Sequence, residues 1–303
     1  MPARDRTETD TLAFALALAI SGARTVRVPV ASAETLTVRI QGAGTPVVLI
    51  PSLFGSAYSY RNVVPLLNDA GYQTIVIEPL AMGTSSRPRG ADYSLSAQAM
   101  RIAAVLDTLR MQGVIIVGHS AGAAIAFRLA LQRPGLVRAI VSLEGGPAEA
   151  AATAGFRRAM TLAPLIRLAG SGFVRGRIHR GLVAASGDTA WVNDEVIAQY
   201  TAGATADLGA TLRAYLRMGQ AHEPERLAPR LGELRCPVRL LLGGAPHDGG
   251  PGDEEQQLMR RSITEFTAEW VPGAGHYLQE ERPDVVAAAV RLVAEAPPMT
   301  VAR

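Results

Sequence analysis

One serine and one histidine stand in contexts suited to nucleophilic chemistry. Ser120 is the centre of Gly118-His119-Ser120-Ala121-Gly122, and His276 closes the Gly-rich turn Pro272-Gly273-Ala274-Gly275. A serine hydroxyl attacks a carbonyl poorly at neutral pH unless a base lies within hydrogen-bond reach, and imidazole is the usual base. Of the five histidines, His179, His222 and His247 lack a comparable context. His119 neighbours the serine, but its side chain is expected to point away from the direction of attack, as pocket wall or helix packing. The attack also needs hydrogen-bond donors for the negative charge that develops on the carbonyl oxygen.

The elements that must position these groups follow from the residue pattern. Four β-branched apolar residues, Val114-Ile115-Ile116-Val117, predict a strand buried on both faces, and an Ala-rich helical pattern starts at Ala121. Strand, tight turn and helix is the context in which Gly-x-Ser-x-Gly lifts a serine out of a sheet. The two glycines keep Cβ atoms out of the crowded turn. The helix begins there, so the Ala121 N–H is free to hold an oxyanion.

In chain order, residues 25–30 and 35–40 alternate like paired antiparallel strands. A buried strand at 46–50 follows, then a helix (60–70), a strand (74–77), a loop (78–92), a helix (96–110), the strand at 114–117, the serine helix and a strand at 139–143. This alternation predicts an α/β protein with a mostly parallel, doubly wound sheet. From 147 to 234 the strand signal stops, and helical spacing appears at 156–168, 194–200 and 206–218. That stretch is read as an inserted helical lid, with the core formed by 25–146 and 235–303. The largest apolar groups in the lid, Phe156, Met160, Phe173, Trp191 and Tyr215, are candidates for lining a substrate pocket. Alternation resumes with strands at 238–242 and 266–271 and helices at 254–262 and 283–295. His276 therefore sits between the last strand and the last helix, near the carboxyl edge where open α/β sheets hold ligands.

These landmarks resemble the α/β-hydrolase superfamily over almost the whole chain. The nucleophile elbow, the histidine segment with Glu281-x-Pro283, and the loop Glu78-Pro79-Leu80-Ala81-Met82-Gly83-Thr84-Ser85 match in order. The segment at 47–56 resembles the family's oxyanion segment, although Pro51 and Ser52 stand where His-Gly is usual. The resemblance implies that the Leu53 N–H is the second oxyanion donor, with the neighbouring Phe54 the alternative donor and a candidate for contact with substrate. For the acid of the triad, the usual slot after the lid falls on Pro246 or His247, and Asp248 comes late. The haloalkane-dehalogenase-like branch carries its acid after the preceding strand, and Glu144 ends that strand 24 residues past Ser120. Glu144 is the preferred acid and Asp248 the alternative. Ser120 replaces that branch's aspartate nucleophile, which points to acyl transfer rather than an alkyl-enzyme ester.

Composition closes off other classes. All 30 basic residues are Arg, the formal charge is +3, and the Arg are scattered, which argues against a nucleic-acid partner. The single Cys236 excludes an internal disulfide. The acidic group Asp248, Asp253, Glu254, Glu255 lacks the ligand spacing of a calcium loop, so no metal and no cofactor are expected. Residues 1–24 hold an apolar run, read either as a signal-like segment, and so an exported protein, or as a packed helix of a cytoplasmic one. Membrane association is expected only through that run. The expected activity is ester hydrolysis on a small molecule. Lactone, amide or C–C bond hydrolysis, perhydrolysis, and ligand binding with weak turnover are the alternatives.

Overall fold

The computed structural model describes residues 22–150 and 153–296. The apolar run of the N-terminal segment lies outside the described residues. Eight strands form one sheet: β1 (Arg24–Ala31), β2 (Glu34–Gln41), β3 (Thr45–Ile50), β4 (Tyr72–Glu78), β5 (Val114–His119), β6 (Val137–Leu143), β7 (Val238–Gly243) and β8 (Phe266–Val271), in the order β1-β2-β4-β3-β5-β6-β7-β8. The β1–β2 hairpin joins antiparallel to β4, and β4 to β8 run parallel.

The period-2 alternation of the strands explains the layers. Val48, Ile50, Val114 and Ile116 point to one side, against α2 (Leu95–Thr108) and α3 (Ala121–Gln132). Val47, Leu49, Ile115 and Val117 point to the other, where Val63 and Leu67 of α1 (Val63–Asp69) and Val286 and Val290 of the last helix pack. All six β5 residues are buried. Each fully buried Val, Leu or Ile contributes roughly 1.5–3 kcal/mol, so the strand end that carries Ser120 rests on a fully buried strand.

Among the described residues between β6 and β7 lie four α-helices: α4 (Ala154–Thr161), α5 (Ala163–Ala185), α6 (Asp194–Ala206) and α7 (Leu208–Gln220). The single helix expected at 156–168 is instead α4 and the start of α5, because Pro164 fits the first turn of a new helix. Helix α5 continues through a kink at Gly170 (φ 80°), far past the expected end. The chain closes with α8 (Asp253–Ser262), the one-turn α9 (Leu278–Glu281) and α10 (Pro283–Glu295).

Candidate active site

Ser120 occupies φ 52°, ψ −114°, between β5 and α3. Such a backbone costs on the order of 1–3 kcal/mol and persists only where the surroundings impose it. They do so here. The Ser120 N–H donates to the Leu143 carbonyl at 2.9 Å. A Cβ on Gly122 would collide with the Ile50 carbonyl, and one on Gly145 would lie 2.5 Å from Ala123 Cβ and 2.7 Å from the Ser120 carbonyl oxygen. Gly145 therefore supports the elbow from the neighbouring strand end. Ala121 is the first residue of α3, where an N–H has no acceptor within its own helix.

Glu144 follows β6, also at positive φ (50°), and is 2% exposed. Its Oε1 accepts from the Gly243 N–H. Its Oε2 lies 3.7 Å from His276 Nδ1 and 3.1 Å from His247 Nε2. Burial alone would raise its pKa. The His276, Gly243 and His247 contacts together outweigh burial and hold the carboxyl below its ordinary range. Asp248 is exposed; among the described residues it is Glu144 that faces His276.

His247 was without a sequence context. The only hint was its position in the slot where the resemblance expects an acid. Its Nδ1 lies 2.7 Å from the Ala245 carbonyl oxygen and its Nε2 faces Glu144, so both nitrogens meet acceptors. Burial lowers its pKa, but Ala245 and Glu144 more than compensate and the net shift is upward. A protonated His247 satisfies both contacts.

The His276 turn is held from several sides. Its N–H donates to the Ala185 carbonyl at the end of α5, at 2.8 Å. Glu281 Oε2 accepts from the N–H groups of Gly187, Asp188 and Gly275 at 2.8–2.9 Å, tying the turn to the residues after α5. His119, expected as pocket wall or helix packing, lies packed beneath the His276 turn. It is 1% exposed. Its Nε2 meets the His276 carbonyl at 2.9 Å and its Nδ1 meets the Gln279 amide at 3.3 Å. Its ring centroid is 4.8 Å from that of His276. Burial, with help from the neighbouring His276, pushes its pKa well down, and it acts as a neutral brace.

The segment after β3 carries Leu53 and Phe54, the latter at φ 65°. It is anchored where the Ala57 N–H donates to Glu78 Oε1 at 2.8 Å, while Thr84 holds Glu78 Oε2 through its N–H (2.7 Å) and hydroxyl (3.0 Å). Phe54 meets Tyr215 edge-on, with centroids 5.0 Å apart, and Phe156 at 5.8 Å; Met160 is buried in the same cluster. Burial pushes the Tyr215 hydroxyl up to about 12, against the opposing effects of Arg87 and the Phe54 backbone. Trp191 is elsewhere, 5.3 Å from Tyr277 and 6.0 Å from Tyr200. Phe173 is 48% exposed on α5.

Residues 45–161 match the family model described as the alpha/beta hydrolase fold. An uncharacterized hydrolase of Bacillus subtilis (strain 168), YugF, is 33% identical over 96 residues, which is 32% of this chain and only 35% of that protein. Haloalkane dehalogenase 2 of Mycobacterium tuberculosis (strain ATCC 25618 / H37Rv) is 25% identical over 263 residues, covering 82% of this chain and 88% of that protein. Among solved structures, the epoxide hydrolase CorEH without ligand matches with a TM-score of 0.76 at 20% identity, over 90% of this chain and 98% of that one. The chain therefore has the α/β-hydrolase fold, and its residues 45–161 carry the match to that family's model.

Proposed function

We propose that the protein is a serine hydrolase that cleaves carboxylic esters through an acyl-enzyme intermediate, without a cofactor. The observation that supports this reading is the gathering of Ser120, Glu144 and His276 at one end of the sheet, on a strained elbow, a strained strand end and a braced turn. Ser120 Oγ attacks the ester carbonyl carbon while His276 takes its proton; the same proton then goes to the departing alcohol. Glu144 orients the imidazole and offsets its charge. The N–H groups of Ala121 and Leu53 hold the oxyanion, each such donor being worth about 10²–10³ in rate. Water, deprotonated by His276, attacks the acyl carbon and releases Ser120. Phe54, Phe156, Met160 and Tyr215 form the apolar wall for the acyl chain, and the helices between β6 and β7 serve as the lid.

A series of p-nitrophenyl esters of increasing acyl length tests this reading. A burst of p-nitrophenol equal to the enzyme concentration, followed by steady turnover, is expected. Binding of the esters without release of p-nitrophenol would overturn it in favour of a ligand-binding protein.

A further inference from the structure

Glu144, His247 and His276 come from three separate segments: the end of β6, the loop after β7 and the turn after β8. Glu144 Oε2, His247 Nε2 and His276 Nδ1 all lie within 4.8 Å of one another. The two pairs that include the carboxylate are 3.1 and 3.7 Å apart. Ligand atoms around a tetrahedral zinc ion, with bonds of about 2.0–2.2 Å, lie roughly 3.3 Å from each other, and the two spacings bracket that value. His276 Nδ1 is buried and makes no hydrogen bond. His247 Nε2 points at a carboxylate oxygen while its other nitrogen is committed to Ala245. Two acceptors face to face need a cation between them, and a proton is only the smallest one available.

The surroundings fit a metal. A ligating imidazole ordinarily donates its second N–H to a carbonyl, as His247 Nδ1 does toward Ala245. The remaining carboxylate oxygen is held by the Gly243 N–H. A cavity of about 340 Å³, lined by Glu144, Gly243, His247, Gly250 and Trp270, leads to the cluster through the loop after β7. Two imidazoles and one carboxylate suit zinc, whereas magnesium and calcium prefer sets of oxygen ligands.

We propose that Glu144, His247 and His276 form an inhibitory site for a zinc-class divalent cation. The ion forms bonds to His276 Nδ1, His247 Nε2 and Glu144 Oε2, and the protons on His276 Nδ1 and His247 Nε2 leave to solvent. With Nδ1 metallated, a proton taken at Nε2 would create a positive ring on a dication, so His276 no longer deprotonates Ser120. The inhibition rests on the proposed hydrolase reading; the binding does not.

Titration of metal-stripped protein with Co²⁺ and Zn²⁺ at mildly alkaline pH tests the site. One Co²⁺ per chain is expected, with the intense visible absorption of tetrahedral coordination, displaced by Zn²⁺. Zn²⁺ abolishes ester turnover and EDTA restores it, while Mg²⁺ and Ca²⁺ have no effect. His247→Gln weakens binding by more than the 10–100-fold typical of losing an outer partner, and His247→Cys, which supplies a thiolate, retains it. Ser120→Ala keeps the Co²⁺ spectrum unchanged, so wild-type protein that binds Co²⁺ in this way yet hydrolyses no ester refutes the hydrolase reading and leaves the site standing. A Co²⁺ spectrum or Zn²⁺ affinity unaltered in folded His247→Gln overturns the site.

Discussion

Ser120 and Glu144 are side by side, each one residue past the last paired positions of β5 and β6, His119 and Leu143. Both are non-glycine residues at positive φ, 52° and 50°. The Ser120 N–H reaches across to Leu143, and the Glu144 N–H reaches across to Leu241 of β7. Each of the two strand ends is thus tied by its first N–H past the strand to the neighbouring strand.

Ser120→Ala is expected to reduce ester turnover at least about 10³-fold, the loss typical of a triad serine. Ser120→Gly should be equally inactive but more stable than Ser120→Ala, by about 1 kcal/mol, because glycine adopts positive φ without strain. Urea denaturation midpoints of the two variants, with turnover of one chromogenic ester, check both statements. Equal midpoints would mean the elbow is relaxed.

The two carboxylates separate cleanly by substitution. Glu144→Gln is expected to lose on the order of 10⁴ in kcat, the cost of the wrong imidazole tautomer. Asp248→Asn, in an exposed loop position, should keep most activity. The decisive measurement is kcat for one p-nitrophenyl ester, with circular dichroism to establish folding; a dead Asp248→Asn reverses the assignment.

The His247–Glu144 pair sets a pH window for stability. His247 is shifted up from 6.5, so its contribution is complete below that value and is lost as pH rises through the raised folded pKa. Glu144 is shifted down from 4.5, so its contribution is present above 4.5 and is lost as pH falls through the lowered folded pKa. The gap in melting temperature between wild type and His247→Gln should therefore be widest in the mildly acidic range and close on the alkaline side. A gap that stays constant from acid to alkali would contradict a charged pair.

Phe156→Ala should change the order of preference among acyl lengths while sparing the shortest ester, because Phe156 stands with Phe54 and Tyr215, 5.8 and 5.9 Å away. Phe173→Ala, on an exposed side of α5, should leave the profile as it is. Profiles of kcat/KM over an acyl series distinguish them, and a shift in Phe173→Ala alone would move the pocket to α5.

The parts of the site legible in the sequence were those written locally. Val114-Ile115-Ile116-Val117 followed by the elbow specifies strand, turn and helix within a few residues, and the Gly-rich turn before His276 does the same. Glu144 was legible through its spacing from Ser120. His247 was not, since its role depends on the loop after β7 folding back onto the end of β6, 103 positions away in the chain. Nor were the positions of Phe173 and Trp191, whose surroundings are set by helix packing. Helix α5 was hidden because Gly170, Gly172, Gly176 and Gly181 each weaken local helical preference, and at Gly170 the chain does leave helical geometry.

Glu144 precedes α4, so Ser120 and its neighbouring carboxylate are both placed before the chain enters the four helices between β6 and β7. An acid carried after β7 would instead reach the serine only on the far side of that excursion. In this arrangement the helices can be exchanged for those of another protein with the two strand-end residues already fixed. Such a graft has two junctions to respect: Ala185, whose carbonyl receives the His276 N–H, and the Gly187 and Asp188 amides that bind Glu281.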